Sequence, residues 1–272
     1  DRFEDLKKKV MLATILGTAQ ATLTKFPYLR RIWQTNTEEE RLLGVSLTGI
    51  MDNELTSGKK NGLEETLTKL REIAVETNKE WAEVLGVPQS TAITCVKPSG
   101  TVSQLVDSSS GIHPRHSSYY IRTVRGDNKD PLTQFLKDSG VPSEDDFMKP
   151  DTTTVFSFPM KSPNKSVKRD DMTAIQQLEI WMIYQRYWCE HKPSVTITVR
   201  DDEWMEVGAF VFKHFDEMSG VSFLPHSDHT YQQAPYQDCT EEEYNAMLDK
   251  FVYDINWSQL AEYEKEDTTA GN

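Results

Sequence analysis

The chain has 272 residues and a formal net charge of −13, with 27% charged and 10% aromatic residues. This composition is typical of a globular protein that buries a sizeable core, and it excludes a disordered chain. The acidic balance argues against a nucleic-acid-binding protein, which needs a basic face, and no apolar run is long enough to span a membrane.

Helical and strand patterns alternate along the chain. Apolar residues at 3–4 spacing predict helices over 3–24, 61–85, 131–138, 171–190 and 202–218, and a capping box at Thr240 predicts a last helix ending near Val252. Short β-branched and apolar runs predict strands over 91–96, 118–125, 153–158, 194–199 and 221–224, and 42–50 is interpreted as a buried strand or a helix-to-strand transition. Strands separated by helices favour an α/β fold with a largely parallel sheet or a barrel.

Two segments predict irregular structure. The polar stretch 159–170 is typical of a surface loop, and the tail 264–272 is acidic and then small and polar, so we expect it to be mobile. The sequence starts at Asp1 without a methionine, which suggests a fragment, a processed product or one part of a split protein.

The turn after the second predicted strand has features of an anion site. Lys97-Pro-Ser-Gly-Thr-Val102 joins a strand to a helix N-terminus, where free N–H groups and the helix dipole favour a phosphate. Residues 97–125 contain four basic side chains and one acid, in contrast to the acidic chain as a whole. The spacing is not that of a P-loop, and an ordinary strand-to-helix connection remains the alternative.

Two histidine pairs, His113 with His116 and His226 with His229, lie in loop-like sequence. Both lack the cysteines or carboxylates at helical spacing that metal sites usually add, so we predict no metal site. His113 and His116 are instead interpreted as polar loop residues that face a ligand pocket, and His226 and His229 as surface residues.

The remaining notable side chains favour structural roles. Trp181, Tyr184 and Trp188 recur at helical spacing, which is more typical of a core than of a cofactor site. Cys95 and Cys189 are interpreted as small buried hydrophobes. With Cys239 they form an odd, sparse set that predicts a reducing cytoplasm and no disulfide framework.

Several motifs together resemble the adenosylcobalamin-dependent (class II) ribonucleotide reductases, of the monomeric ribonucleoside-triphosphate reductase type. The matching segments, in family order from about residue 1 to 265, are Arg41–Ile50, Val96–Val102, Gly111–Arg115, Asp130–Leu132, Ser194–Val199, Leu224–His226 and Gln232–Pro235. The resemblance implies a ten-stranded α/β barrel, with residues 1–263 as the C-terminal half of it.

The resemblance also implies the site. In the family, the turn matching Pro98, Ser99, Gly100, Thr101 and Val102 holds the phosphates of the nucleotide, and the Gly111–Arg115 loop lies near the active-site mouth. Lys97, His113 and Arg115 are therefore candidates for this mouth, and we expect Lys97 or Arg115 to add positive charge near the phosphates. The complete enzyme reduces ribonucleoside triphosphates with adenosylcobalamin, a thiyl radical and a thioredoxin-like or dithiol reductant.

The redox residues of the family have no counterpart in this chain. The radical cysteine, the Cys-x-Glu motif and the reducible cysteine pair precede the segment that aligns with Asp1, and the family's C-terminal cysteine pair follows the position where this sequence stops. Cys95, Cys189 and Cys239 match none of them. We therefore expect no catalytic residue in this chain, inactivity of the chain alone, and an N-terminal barrel half as its partner, with neither nucleic acid nor membrane involved.

Two alternatives remain open at this stage. The chain could be a non-catalytic half-barrel that binds nucleotide or a partner chain. It could also be a fragment of a class I reductase, although the adjacent tyrosine pair expected near the end of such a chain is absent, and Tyr119-Tyr120 lie too early.

Overall fold

A computed structural model of the chain describes residues 2–226, 232–251 and 254–265. The helices are α1 (Phe3–Gln20), α2 (Arg31–Glu40), α3 (Leu63–Leu85), α4 (Val102–Leu105), α5 (Pro131–Asp138), α6 (Ala174–Tyr187), α7 (Trp204–His214), α8 (Glu241–Leu248) and α9 (Leu260–Tyr263). The strands are β1 (Val45–Ser46), β2 (Thr94–Cys95), β3 (Tyr119–Asp127), β4 (Ser143–Asp145), β5 (Thr153–Lys161), β6 (Thr196–Val199), β7 (Ser222–Pro225) and β8 (Tyr236–Asp238). Short 3-10 helices cover Ile50–Asp52, Arg169–Asp171 and Trp257–Gln259.

The chain divides into two compact units: unit 1 comprises 1–115 and 165–226, and unit 2 comprises 116–164 and 227–272. The sequence predicts one domain over 1–263. Residues 116–164 form their own antiparallel strands, and β8 returns from the end of the chain to pair with β3, which explains the division. The assignment of residues 1–263 to half of a barrel stays a prediction.

Unit 1 contains parallel strand pairs surrounded by helices. β1 pairs with β2, and β6 pairs with β7, both in parallel. The amide of Ser194, just before β6, donates to the carbonyl of Val96, just after β2, at 2.8 Å. The parallel pairing confirms the α/β fold class, with strands shorter than the sequence indicated.

The core of unit 1 gathers one face of each long helix against these strands. α3 buries Leu67, Leu70 and Ala74, and α6 buries Leu178 and Trp181. α3 ends at Gly86, whose φ of 68° is the left-handed conformation that glycine adopts readily, so the helix stops where the pattern predicted.

Unit 2 contains a four-stranded antiparallel sheet in the order β4-β5-β3-β8. The long β3–β5 ladder runs from Tyr119 opposite Lys161 to Asp127 opposite Thr153. The expectation of a largely parallel sheet is therefore wrong for unit 2. Strand sequences encode which faces are buried, whereas the direction of a partner strand depends on the connection between them.

Helix caps account for several of the observed boundaries. Asp130 caps α5 by accepting from the Leu132 amide, and Pro131 occupies the first helical position. Thr173 and Thr240 each form a capping box, at α6 and α8 respectively. The capping box predicted at Thr240 is confirmed, although α8 ends at Leu248.

The predicted surface loop over 159–170 is wrong at two places. β5 continues to Lys161, and Ser166 and Val167 are buried rather than exposed. The amide of Val167 donates to the carbonyl of Met51 at 2.8 Å, which draws this segment into the core of unit 1. The predicted tail coincides with the described residues only at 264–265, and 266–272 lie outside them. None of the helices in the described ranges is both long and apolar enough to cross a bilayer.

Candidate functional site

The site that the sequence predicted is an exposed turn between β2 and α4. Pro98, Gly100, Thr101 and Val102 are exposed, and Ser99 is half-buried. Ser99 adopts a φ of 45°, and a Cβ added to Gly100 would meet no atom within 4 Å. The backbone is therefore open to a ligand on this side.

The turn carries backbone donors that the protein leaves available. Within the described residues, the amides of Ser99, Gly100, Thr101 and Val102 donate to no acceptor. α4 has only four residues, so its dipole is small and adds little to the attraction for a phosphate that the sequence predicted there. Any anion binding would therefore depend on the amides, the Thr101 hydroxyl and the exposed Lys97 rather than on the dipole of α4.

Neighbouring segments fix the start of the turn. The hydroxyls of Thr48 and Ser99 lie 2.9 Å apart, and the Lys97 amide donates to the Ser46 hydroxyl at 2.9 Å. The Ser110 hydroxyl donates to the carbonyl of Pro98. The turn is thus held from the segment after β1 and from the loop after α4.

Of the three residues predicted at the mouth, only Lys97 is exposed. His113 is half-buried: its Nδ1 lies 2.8 Å from the Ser110 carbonyl, and its Nε2 accepts from the Thr196 amide at 3.1 Å. These partners fix the neutral tautomer with the proton on Nδ1. Burial lowers the pKa of His113 below its ordinary value, which favours the same neutral state.

Arg115 is buried and its charge is already matched. The side chain is 4% exposed and forms ion pairs with Asp52 at 2.8 Å and with Asp107 at 3.1 Å. The expectation that Arg115 lends free positive charge to a phosphate is therefore wrong, because a guanidinium committed to two carboxylates has little charge left to offer. Asp52 was not predicted from the sequence, although an acid directly after the apolar pair Ile50-Met51 was a usable signal.

The aromatic stripe on α6 is core, as predicted. Trp181, Tyr184 and Trp188 are fully buried. Their polar atoms donate to the carbonyls of Pro193, Thr56 and Cys95 at 3.0, 2.8 and 2.7 Å respectively. These bonds link α6 and its C-terminus to β2 and to the loop after β1.

The cysteines are not activated nucleophiles. Burial raises the pKa of Cys95 and that of Cys189, and also raises that of Cys239. The described residues contain no group of three or more His, Cys, Asp or Glu side chains placed to hold a metal ion. His226 is within the described part of the chain, whereas His229 lies outside it.

Comparison with known proteins gives one consistent result. The chain is 30% identical over 266 residues to an adenosylcobalamin-dependent ribonucleoside-triphosphate reductase of Euglena gracilis, covering 95% of this chain and 35% of the relative. It is 28% identical over 268 residues to the protein of that name from Lactobacillus gasseri, covering 88% of this chain and 36% of the relative. The chain is a homologue of part of these reductases.

The solved structures agree with the sequence relatives. A crystal structure of a B-12 dependent (class II) ribonucleotide reductase matches with a TM-score of 0.83 and 25% identity, covering 97% of this chain and 40% of that chain. No family model matches the sequence. The chain thus spans about 35% of the length of the curated reductases, with the mixed α/β architecture of the matching part.

Proposed function

We propose that this chain is the C-terminal part of the catalytic barrel of an adenosylcobalamin-dependent ribonucleoside-triphosphate reductase. In that enzyme it holds the phosphates of the ribonucleotide on residues 98–102. The phosphate assignment rests on the exposed turn, in which four successive amides donate to no acceptor within the described residues. Such a run of N–H groups is suited to phosphate oxygens.

Within this site each element has a separate task. The amides of Gly100, Thr101 and Val102, with the Thr101 hydroxyl, would donate hydrogen bonds to phosphate oxygens. Lys97, exposed at the start of the turn, would supply the nearby positive charge. Together they bind and orient the nucleotide so that its ribose lies where the rest of the enzyme can act on it.

The redox steps belong to another segment in this proposal. Cys95 is buried and Cys189 and Cys239 are half-buried, and burial raises the pKa of all three, so disulfide exchange, which needs an accessible thiolate, is disfavoured at these positions. A thiyl-forming cysteine and a reducible pair would lie in a preceding part of the protein or in a separate chain. A thioredoxin-like protein or a dithiol would supply the electrons.

Open strand edges and exposed apolar side chains in unit 1 support the proposal that an N-terminal barrel half packs against it. Within the described residues, β1 pairs with β2 alone and β7 with β6 alone, so each pair leaves open edges that proteins normally cover. Large apolar side chains are also exposed at Val102, Leu105 and Val106 around α4, and at Met205 and Phe212 on α7. An N-terminal barrel half would pair with these edges and bury these side chains.

The cofactor of the complete enzyme would be adenosylcobalamin, which supplies the radical that initiates reduction. A cleft in unit 1, between the loop after β1 and α6, has a volume of about 470 Å³, a size suited to a small organic molecule. A corrin ring with its axial ligands is much larger than this cleft. The cleft does not fit the cofactor, and we assign no residue of this chain to it.

The substitution Thr101→Glu in the complete reductase tests the phosphate assignment. A carboxylate about 4 Å from a phosphate costs roughly 1–4 kcal/mol, depending on the local dielectric, so KM for the ribonucleoside triphosphate should rise about fivefold or more. Thr35→Glu is the matched control, because it adds the same charge at an exposed helical position on α2. Equal KM values for the two variants would refute the assignment.

A further inference from the structure

A buried arginine connects two loops of unit 1. Nε and Nη2 of Arg115 donate to the two carboxylate oxygens of Asp52, at 2.9 and 2.8 Å. Nη1 donates to Oδ1 of Asp107 at 3.1 Å, and Nη2 also donates to the Asp107 carbonyl at 2.8 Å. One guanidinium therefore bonds a side chain from the segment after β1 and both the side chain and the backbone of Asp107.

The segment that Arg115 reaches has an uncommon backbone at each end. Ser99 and Asp107, on either side of α4, adopt φ values of 45° and 44°. Residues other than glycine occupy this region at an energetic cost, and they remain there only when surrounding contacts hold them. The segment 99–107 therefore depends on its anchors for its conformation.

Both anchors originate in the segment 48–52. Thr48 contacts the Ser99 hydroxyl at 2.9 Å, and Asp52 holds Asp107 through Arg115. Oδ2 of Asp52 also accepts from the Ser109 amide at 2.7 Å, just beyond the far end of the segment. The segment carrying the unpaired amides is thus fixed at its start and at its end by one short piece of chain.

We propose that Arg115 is a positioning residue that holds residues 99–107 in the conformation that binds phosphate. The inference rests on the proposed function and extends it, because it assigns the far anchor of the phosphate turn to the Asp52–Arg115–Asp107 cluster. Arg115 acts through Asp107 and makes no contact with the ligand. Lysine cannot replace it, since a single ammonium lacks the planar fork that bonds both carboxylates at once.

The test compares ligands with and without phosphates in the complete reductase that contains this chain. Equilibrium dialysis measures Kd for a ribonucleoside triphosphate and for the corresponding ribonucleoside. For Arg115→Lys we expect triphosphate binding to weaken about tenfold, as for loss of one charge-assisted contact, with nucleoside binding unchanged. Arg186→Lys is the matched control, because Arg186 forms a half-exposed ion pair with Glu217 elsewhere in unit 1.

A second variant keeps the inference testable if Arg115→Lys fails to fold. Asp107 is 66% exposed, and asparagine tolerates the left-handed backbone, so Asp107→Asn should fold and weaken triphosphate binding by a smaller factor. Triphosphate binding equal to that of the parent in Asp107→Asn, or equal losses of both ligands in Arg115→Lys, would overturn the inference. If the unmodified enzyme binds nucleoside and triphosphate equally well, the proposed phosphate turn itself is wrong.

Discussion

Tyr184 provides a measurable link between α6 and the loop that follows β1. The side chain is fully buried, and its hydroxyl donates to the Thr56 carbonyl at 2.8 Å. That carbonyl accepts no other hydrogen bond within the described residues. Replacing Tyr184 with phenylalanine therefore removes one bond and leaves a buried acceptor unpaired.

The expected loss follows from these contacts. An unpaired buried polar group costs about 1–3 kcal/mol, and a phenylalanine ring fills nearly the same volume, so no cavity term is added. For a protein of this size each kcal/mol lowers Tm by roughly 2–4 °C. We expect Tyr184→Phe to lower Tm by roughly 2–12 °C and to lower the urea midpoint at an unchanged m-value.

Tyr187→Phe is the control on the same helix. Tyr187 is half-buried against the same core, and its hydroxyl makes no hydrogen bond within the described residues. Urea unfolding followed by circular dichroism compares the two variants. If Tyr184→Phe differs from Tyr187→Phe by less than roughly 0.5 kcal/mol, the buried bond contributes nothing measurable and the reasoning fails.

Two further predictions concern titratable groups. Because burial lowers the folded-state pKa of His113, the unfolded chain takes up the proton first as pH falls, so stability should decrease below about pH 6.5. Urea midpoints at several pH values should show this decrease, and His113→Gln should reduce it; an equal decrease in the variant would contradict the assignment. Because burial raises the pKa of Cys95 and Cys189, both thiols should react with a disulfide reagent at pH 8 only after denaturation. Rapid labelling of the folded protein at either position would be the contrary result.

The sequence predicted the features that arise from local physics. Apolar spacing located α3 within two residues of each end, and the side chain of Thr240 predicted the start of α8. β1 and β2 contain only two residues each, because pairing across long sequence separations, rather than β-propensity, decides how far such strands extend. β4 and β8 were not predicted, because a strand of three residues carries too little alternation to detect.

In the candidate site, too, the local features were predictable from the sequence and the long-range contacts were not. The exposed turn 98–102 followed from its Pro-Ser-Gly composition and its position after a strand. The state of Arg115 did not, because its main partner, Asp52, lies 63 residues earlier in the chain. A positive residue near an expected anion site is easily interpreted as a ligand contact, and only the fold reveals that carboxylates already surround it.

The order of the two units along the chain limits how the protein can be cut and how it is made. Unit 2 begins at His116, is interrupted by residues 165–226 of unit 1, and is completed when β8 pairs with β3. During synthesis the sheet of unit 2 therefore stays incomplete until β8 has been made, which happens after β7 of unit 1. No single cleavage separates the units, and producing unit 2 by itself would require a new connection that bypasses residues 165–226.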